Sequence, residues 1–159
     1  MTLEYRKATI DDIEALTRIR ATMLCDGTDC DDRFRAELCD NTKAYIAGGF
    51  GDKSFAAWVA AHDGEIVAMG WLSYYFLPPT RWCPGGKTAY LSGMYTLPAY
   101  RGKGAATRLL SLLIEEGKGN GCERVLLDST DMGRPLYEKY GFETSDTAMM
   151  YFPFGIVHK

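Results

Sequence analysis

The 159-residue sequence predicts an α/β fold, and three observations predict it. Strand-like and helix-like segments alternate in the order βααβββαβαββ, which places helices on the faces of a sheet. Two strand-like runs flank His62-Asp63-Gly64, and Asp-Gly is a strong signal for a tight hairpin, so part of the sheet is antiparallel. Thr88 to Thr96 reads as a strand that passes a turn marked by Pro98 into a helix opening on Gly102 and Gly104.

The elements follow in order. Leu3 to Ala8 is the first strand. Thr9-Ile10-Asp11-Asp12 then supplies a cap and two acids suited to the positive end of a helix running to about Cys25. Ile13, Leu16, Ile19, Arg20 and Met23 recur at helical spacing and define its core face. Turn formers from Cys25 to Asp32 break the chain, and a second helix from about Arg33 to Ile46 is expected to end at Gly48-Gly49. Phe55 to Ala61 and Glu65 to Tyr75 form the hairpin, which puts His62 at its tip as a solvated turn residue rather than a catalytic base. Leu77 to Gly86, with three prolines and two glycines, is a loop whose Trp82 serves either loop packing or a substrate wall.

Gly93, inside the strand Thr88 to Thr96, marks a bulge or a close backbone approach. The helix from Gly102 to about Lys118 carries Leu109, Leu110, Leu112, Leu113 and Ile114 as a wide apolar face to be buried. Glu123 to Leu127 is a short strand and Gly133 to Tyr140 a short helix. Phe142 to Glu143 and Ala148 to Phe154 read as closing strands.

Composition narrows the function classes. An apolar fraction of 47% and a charged fraction of 25% are those of a globular domain, and the whole chain, residues 1–159, reads as a single domain with a full core. A net charge of −3 argues against a nucleic-acid partner, which would show as a basic face. No apolar run resembles a signal peptide or approaches the roughly 18 residues of a membrane span, so the expectation is a cytoplasmic protein with no membrane partner. Cys25, Cys30, Cys39, Cys83 and Cys122 include no Cys-x-x-Cys pair, and only His62 and His158 are available beside them. They read as reduced structural thiols, with no metal site expected.

The most informative stretch is Arg101-Gly102-Lys103-Gly104-Ala105-Ala106-Thr107. Residues with little or no side chain let phosphate oxygens approach the free N–H groups of a first helical turn, where the helix dipole also favours negative charge. A cofactor bearing a diphosphate is the natural guest. A Walker loop is excluded because Gly104 follows Lys103 where Ser or Thr is required. A dinucleotide fingerprint lacks its third glycine, Thr107 standing there, although Asp128 ends the next strand.

Arg101 to Ala106 matches the Arg/Gln-x-x-Gly-x-Gly/Ala pattern of the GNAT N-acetyltransferase superfamily. Leu136-Tyr137-Glu138-Lys139-Tyr140-Gly141-Phe142 resembles that superfamily's downstream Leu-Tyr-Glu-Lys-x-Gly-Phe segment, at the right distance. The resemblance covers the second half closely and the first half only in element order. It implies the GNAT acyl-CoA N-acyltransferase fold, an α/β fold with a mixed, mostly antiparallel central sheet flanked by helices. Its strands 4 and 5 splay apart to admit the cofactor.

It further implies acetyl-CoA as co-substrate, its pyrophosphate on Arg101, Gly102, Lys103, Gly104, Ala105, Ala106 and Thr107, and its pantetheine arm paired with Met94, Tyr95 and Thr96. The acetyl group then passes directly to a bound amine through a tetrahedral intermediate, with an amide near the Gly93 bulge polarising the thioester carbonyl. Tyr137 occupies the place of the tyrosine that protonates the departing thiolate, and the competing reading makes it an aromatic packed beside Leu136, Tyr140 and Phe142.

Departures from the pattern leave other roles open. Thr130 stands where the family often has Asn, and a hydroxyl does not replace a whole amide. Thr88, Ala89 and Tyr90 occupy strand positions where some relatives keep a carboxylate base, which leaves Asp128 and Asp131, or an ordered water, as sources of one. Asp26, Asp29, Asp31 and Asp32 serve either as helix caps or as an attraction for a cationic amine. The functional expectation is acetyl transfer to a primary amine of a small molecule in a ternary complex. The alternatives are a protein or peptide amine as acceptor, or an acyl-CoA-binding sensor without turnover. The aromatic runs Tyr74 to Leu77 and Tyr151 to Phe154 are candidates for a homodimer surface, or simply core.

Overall fold

A computed structural model describes residues 2–145. The chain divides into two compact units, Met1–Asp128 and Ser129–Lys159. The first is built on a five-stranded sheet in the order β1-β2-β3-β4-β5. Its elements are β1 (Glu4–Lys7), a single 3-10 turn (Ile10–Asp12), α1 (Ile13–Cys25), α2 (Asp32–Asp52), β2 (Phe55–His62), β3 (Glu65–Phe76), β4 (Lys87–Thr96), a second 3-10 turn (Pro98–Tyr100), α3 (Ala105–Gly119) and β5 (Arg124–Leu126). The described part of the second unit holds α4 (Arg134–Tyr140).

Neighbouring strands are antiparallel except β4 and β5, which are parallel and joined through α3. The sheet is therefore mixed and mostly antiparallel. The β2–β3 hairpin closes on Asp63 and Gly64 at φ 50° and 82°, the left-handed pair that a two-residue turn needs to match strand twist. His62 sits beside it, with Nδ1 3.2 Å from the Thr2 carbonyl and its ring edge-on to Tyr100.

Apolar side chains cover both sheet faces. Leu16 and Ile19 of α1 and Ile46 of α2 pack on Phe55, Ala57, Val59, Met69 and Trp71. On the other face Ala105 and Leu109 of α3 pack on Ala60 and Ala68, with Trp58 and Met94 at the margin. Small residues on that face let the α3 backbone lie close to the sheet.

Three expectations are corrected. The second helix does not stop at Gly48-Gly49 but runs to Asp52, with Lys53 at φ 63° ending it. Gly49 is needed for contact rather than termination, because a Cβ there would overlap the Phe55 side chain. Thr9 is the cap expected and forms a capping box with Asp12: the Thr9 N–H donates to Asp12 at 2.8 Å, and Asp12 also takes two hydrogen bonds from Arg6 at 2.7 and 2.8 Å. Cys25 and Cys30 are joined as a disulfide, since the turn after α1 brings their Cα atoms to 5.3 Å, while Cys39, Cys83 and Cys122 are free thiols. Phe142 and Glu143 form no strand, the chain leaving α4 through Gly141 at φ 113°. The expected strand at 148–154 lies outside the described residues.

Candidate cofactor and acceptor site

The segment between β4 and α3 forms an open cradle. Gly104 is the residue before the helix, and the first intrahelical bond runs from the Arg108 N–H to the Gly104 carbonyl at 3.0 Å. The amides of Ala105, Ala106 and Thr107 precede that bond and have no intrahelical acceptor. Gly102 and Gly104 hold φ 73° and 81°, and a Cβ on either would meet no heavy atom within 4 Å. Their glycines therefore answer to backbone conformation, and the space above them is free for a group that approaches the helix end. Ala105 is buried against the sheet, which anchors the turn from beneath.

Side chains tie the cradle to β4. Arg101 Nε donates to the Thr96 carbonyl at 3.0 Å, and its guanidinium lies over the Tyr95 ring at 5.3 Å. Lys103 Nζ donates to the Ala99 carbonyl at 3.1 Å and lies over Tyr100 at 5.5 Å. Met94, Tyr95, Thr96 and Arg101 to Thr107 are thus one continuous structure.

The bulge expected at Gly93 is present. Pairing shifts register between Met69 and Trp71, which face Tyr95 and Ser92, so Gly93 and Met94 stand opposite Gly70. Gly93 holds φ 65°, and a Cβ there would lie 2.8 Å from the Trp71 indole, so both conformation and crowding require glycine. On its other edge β4 pairs with β5 only from Thr88 to Tyr90, opposite Arg124 to Leu126. From Leu91 to Thr96, β4 has no strand partner on that side among the described residues, and this parting opens a gap in the sheet.

At the point of parting lies a polar cluster on the α1 side. Tyr90 donates its hydroxyl to Asp128 Oδ2 at 2.5 Å. Burial and this acceptor push the Tyr90 phenol up to about 12. Arg20 of α1 lies beside them, its guanidinium 5.3 Å from the Trp71 ring centroid, and burial pushes it below its ordinary value. The sequence pattern placed Arg20 on a core face and did not connect it with Tyr90 or Asp128; an arginine among apolar positions was the available signal. Of the acidic cluster, Asp31 caps α2 by accepting from the Phe34 N–H at 2.7 Å, and Asp26 accepts from the Tyr95 hydroxyl at 3.4 Å.

In the second unit Tyr137 is the buried residue of α4, 9% exposed, edge-on to Phe142 at 5.8 Å. Burial raises its phenol above the ordinary value. Thr130 uses its hydroxyl locally, accepting from the Gly133 N–H at 3.1 Å. A cavity of about 420 Å³ lies away from the cradle, at the C-terminal half of α3, lined by Trp58, Leu112, Glu115, Glu116 and Asn120. Glu116 is held there by Trp58 Nε1 at 3.2 Å and Lys7 at 2.5 Å, a packing network rather than a catalytic cleft. Among the described residues no cluster of His, Cys, Asp or Glu could hold a metal ion, and no helix is long and apolar enough to cross a membrane.

The family model described as acetyltransferase (GNAT) family matches residues 19–142. The chain is 30% identical over 148 residues to thialysine N-epsilon-acetyltransferase of Mus musculus, covering 80% of this chain and 83% of that protein. It is 34% identical over 97 residues to the uncharacterized N-acetyltransferase YjgM of Escherichia coli (strain K12), a match that takes in 59% of this chain and spans only 54% of that relative's length. Among solved structures, a predicted acetyltransferase from Clostridium acetobutylicum, crystallised with acetyl-CoA, superposes with a TM-score of 0.86 at 31% identity, covering 95% of this chain and 96% of that one.

Proposed function

The chain belongs to the acetyltransferase (GNAT) family and is an acetyl-CoA-dependent N-acetyltransferase, and from that premise we propose that it acetylates a primary amine of a small molecule by direct attack in a ternary complex. The observation that carries this reading is the open glycine cradle at the start of α3, set beside a β4 edge that β5 leaves unpaired. Acetyl-CoA supplies the activated acetyl thioester. The amides of Ala105 to Thr107, with Gly102 and Gly104 holding the turn, bind its diphosphate at the positive helix end. Lys103 and Arg101 add positive charge, and the backbone of Met94, Tyr95 and Thr96 holds the pantetheine arm.

Tyr137 is the proposed acid. A phenol raised by burial is fully protonated at neutral pH, so it can donate a proton to a thiolate leaving group. A donor fixed near the Gly93 bulge, aimed where negative charge develops, is worth about 3 to 4 kcal/mol of barrier.

The test is steady-state release of CoA from acetyl-CoA across a panel of small amines, with peptides bearing a free N-terminal or lysine amine as a second arm. Turnover of small amines at a kcat/KM above that of the peptides is expected. Preference for the peptides would move the acceptor to a protein, and acetyl-CoA binding with no turnover on either arm would make the domain a sensor.

A further inference from the structure

Arg20 sits where an arginine is costly without a counterion. It is half-buried on the α1 face that packs on the sheet, and among the described residues no carboxylate pairs with it. Its side-chain contacts are a weak one from Nη1 to the Met23 sulfur at 3.9 Å and the Trp71 ring beneath it. A desolvated cation in that state gains by receiving an anion. A guanidinium carries a planar fork of donors that matches the geometry of a carboxylate.

The neighbouring charge has the opposite sign. Asp128, held by the Tyr90 hydroxyl at 2.5 Å, lies just past the last paired residue of β5, at the mouth of the gap between β4 and β5. Arg20 lies over the Trp71 ring of β3, and Tyr90 stands on the adjacent strand β4. Register places Tyr90 and Trp71 on one sheet face, because Ser73 lies opposite Tyr90 and Trp71 opposite Ser92. One wall of the acceptor side thus carries a cation and an anion in sequence, Arg20 then Tyr90 and Asp128.

We propose that the acceptor is a zwitterionic, amino-acid-like amine whose carboxylate is read by Arg20 and whose ammonium faces Asp128. This rests on the acetyl-transfer reading and makes Arg20 its specificity-determining residue. One guanidinium with a carboxylate close by matches a singly charged carboxylate, whereas a phosphate dianion would call for further cations on the same wall. A polyamine, with no anion, would leave Arg20 uncompensated and add repulsion.

The experiment measures CoA release with L-lysine, L-ornithine and thialysine against the matched diamines cadaverine and putrescine and against O-phosphoethanolamine. It is run on the wild-type chain, Arg20→Met and Arg20→Lys, with acetyl-CoA binding measured on each. Expected is a kcat/KM at least about tenfold higher for an amino acid than for its diamine. Arg20→Met should erase that preference through KM, which rises for the amino acids and falls for the diamines as the repulsion is relieved, with acetyl-CoA affinity unchanged, and Arg20→Lys should restore part of the preference.

Diamines preferred by the wild type, O-phosphoethanolamine preferred over every carboxylate, or equal losses on both series in Arg20→Met would each overturn the inference and leave acetyl transfer standing. Normal acetyl-CoA binding with none of these amines turned over would overturn it as well. Failure of the wild type to bind acetyl-CoA would bring down the acetyl-transfer reading, and the inference with it.

Discussion

The roles proposed for single side chains can each be tested alone. Replacing Tyr137 with Phe keeps the ring that packs on Phe142 and removes only the hydroxyl proposed as the acid, so kcat is expected to fall at least about tenfold with acetyl-CoA affinity unchanged. Unchanged turnover would remove Tyr137 from the reaction. Asp12 belongs to stability instead. Its pairing with Arg6 holds the carboxyl below its ordinary value of 3.8, so its contribution is full above that value and is lost as pH falls through the folded-state value. Asp12→Asn should lower stability at neutral pH by less than about 1 kcal/mol, because Arg6 is half-exposed, and the difference from wild type should vanish in acid. Urea titrations at pH 7 and at successively lower pH below 3.8 follow the difference as it shrinks.

At the scale of elements, glycines divide by what surrounds them. Gly48 and Gly49 are adjacent in α2, yet a Cβ on Gly48 meets nothing within 4 Å and one on Gly49 overlaps Phe55. Gly48→Ala should therefore stabilise by about 0.5 to 1 kcal/mol through helix propensity, and Gly49→Ala should destabilise by about 1 to 3 kcal/mol through overpacking. Paired denaturation curves with the same sign for both would refute this account of why α2 continues through the pair. The sequence treated the two as a helix stop, since glycine at a helix end and glycine at a close contact are the same letter. By contrast the Asp63-Gly64 turn and the glycine turn at Gly102 and Gly104 were legible, because their requirements are local in the backbone.

For the whole molecule the expected signature is ligand linkage. Acetyl-CoA at about 100 times its dissociation constant should add about 2.7 kcal/mol, which for a domain of this size raises the melting temperature by about 5 to 10 °C. No shift at millimolar acetyl-CoA would argue that the open turn before α3 is no diphosphate site. The cavity beside Trp58 gives a control: a substitution there, such as Leu112→Ala, should alter stability and leave the acetyl-CoA shift in place.

By itself the sequence determined what depends on near neighbours. The hairpin, the bulge at Gly93, the glycine turn before α3 and the apolar faces of α1 and α3 follow from φ preferences, periodicity and helix-end chemistry within a few residues. Family motifs in the second half were readable for the same reason, being contiguous. Only the tertiary structure decided which distant groups meet. It joined Cys25 to Cys30 across the turn after α1, set Phe55 against Gly49, parted β4 from β5 after Tyr90, and brought Asp128 to the Tyr90 hydroxyl beside Arg20. Those meetings depend on strand register and helix placement summed over the sheet, and so no window of the chain contains the pairing of Arg20 with its neighbours.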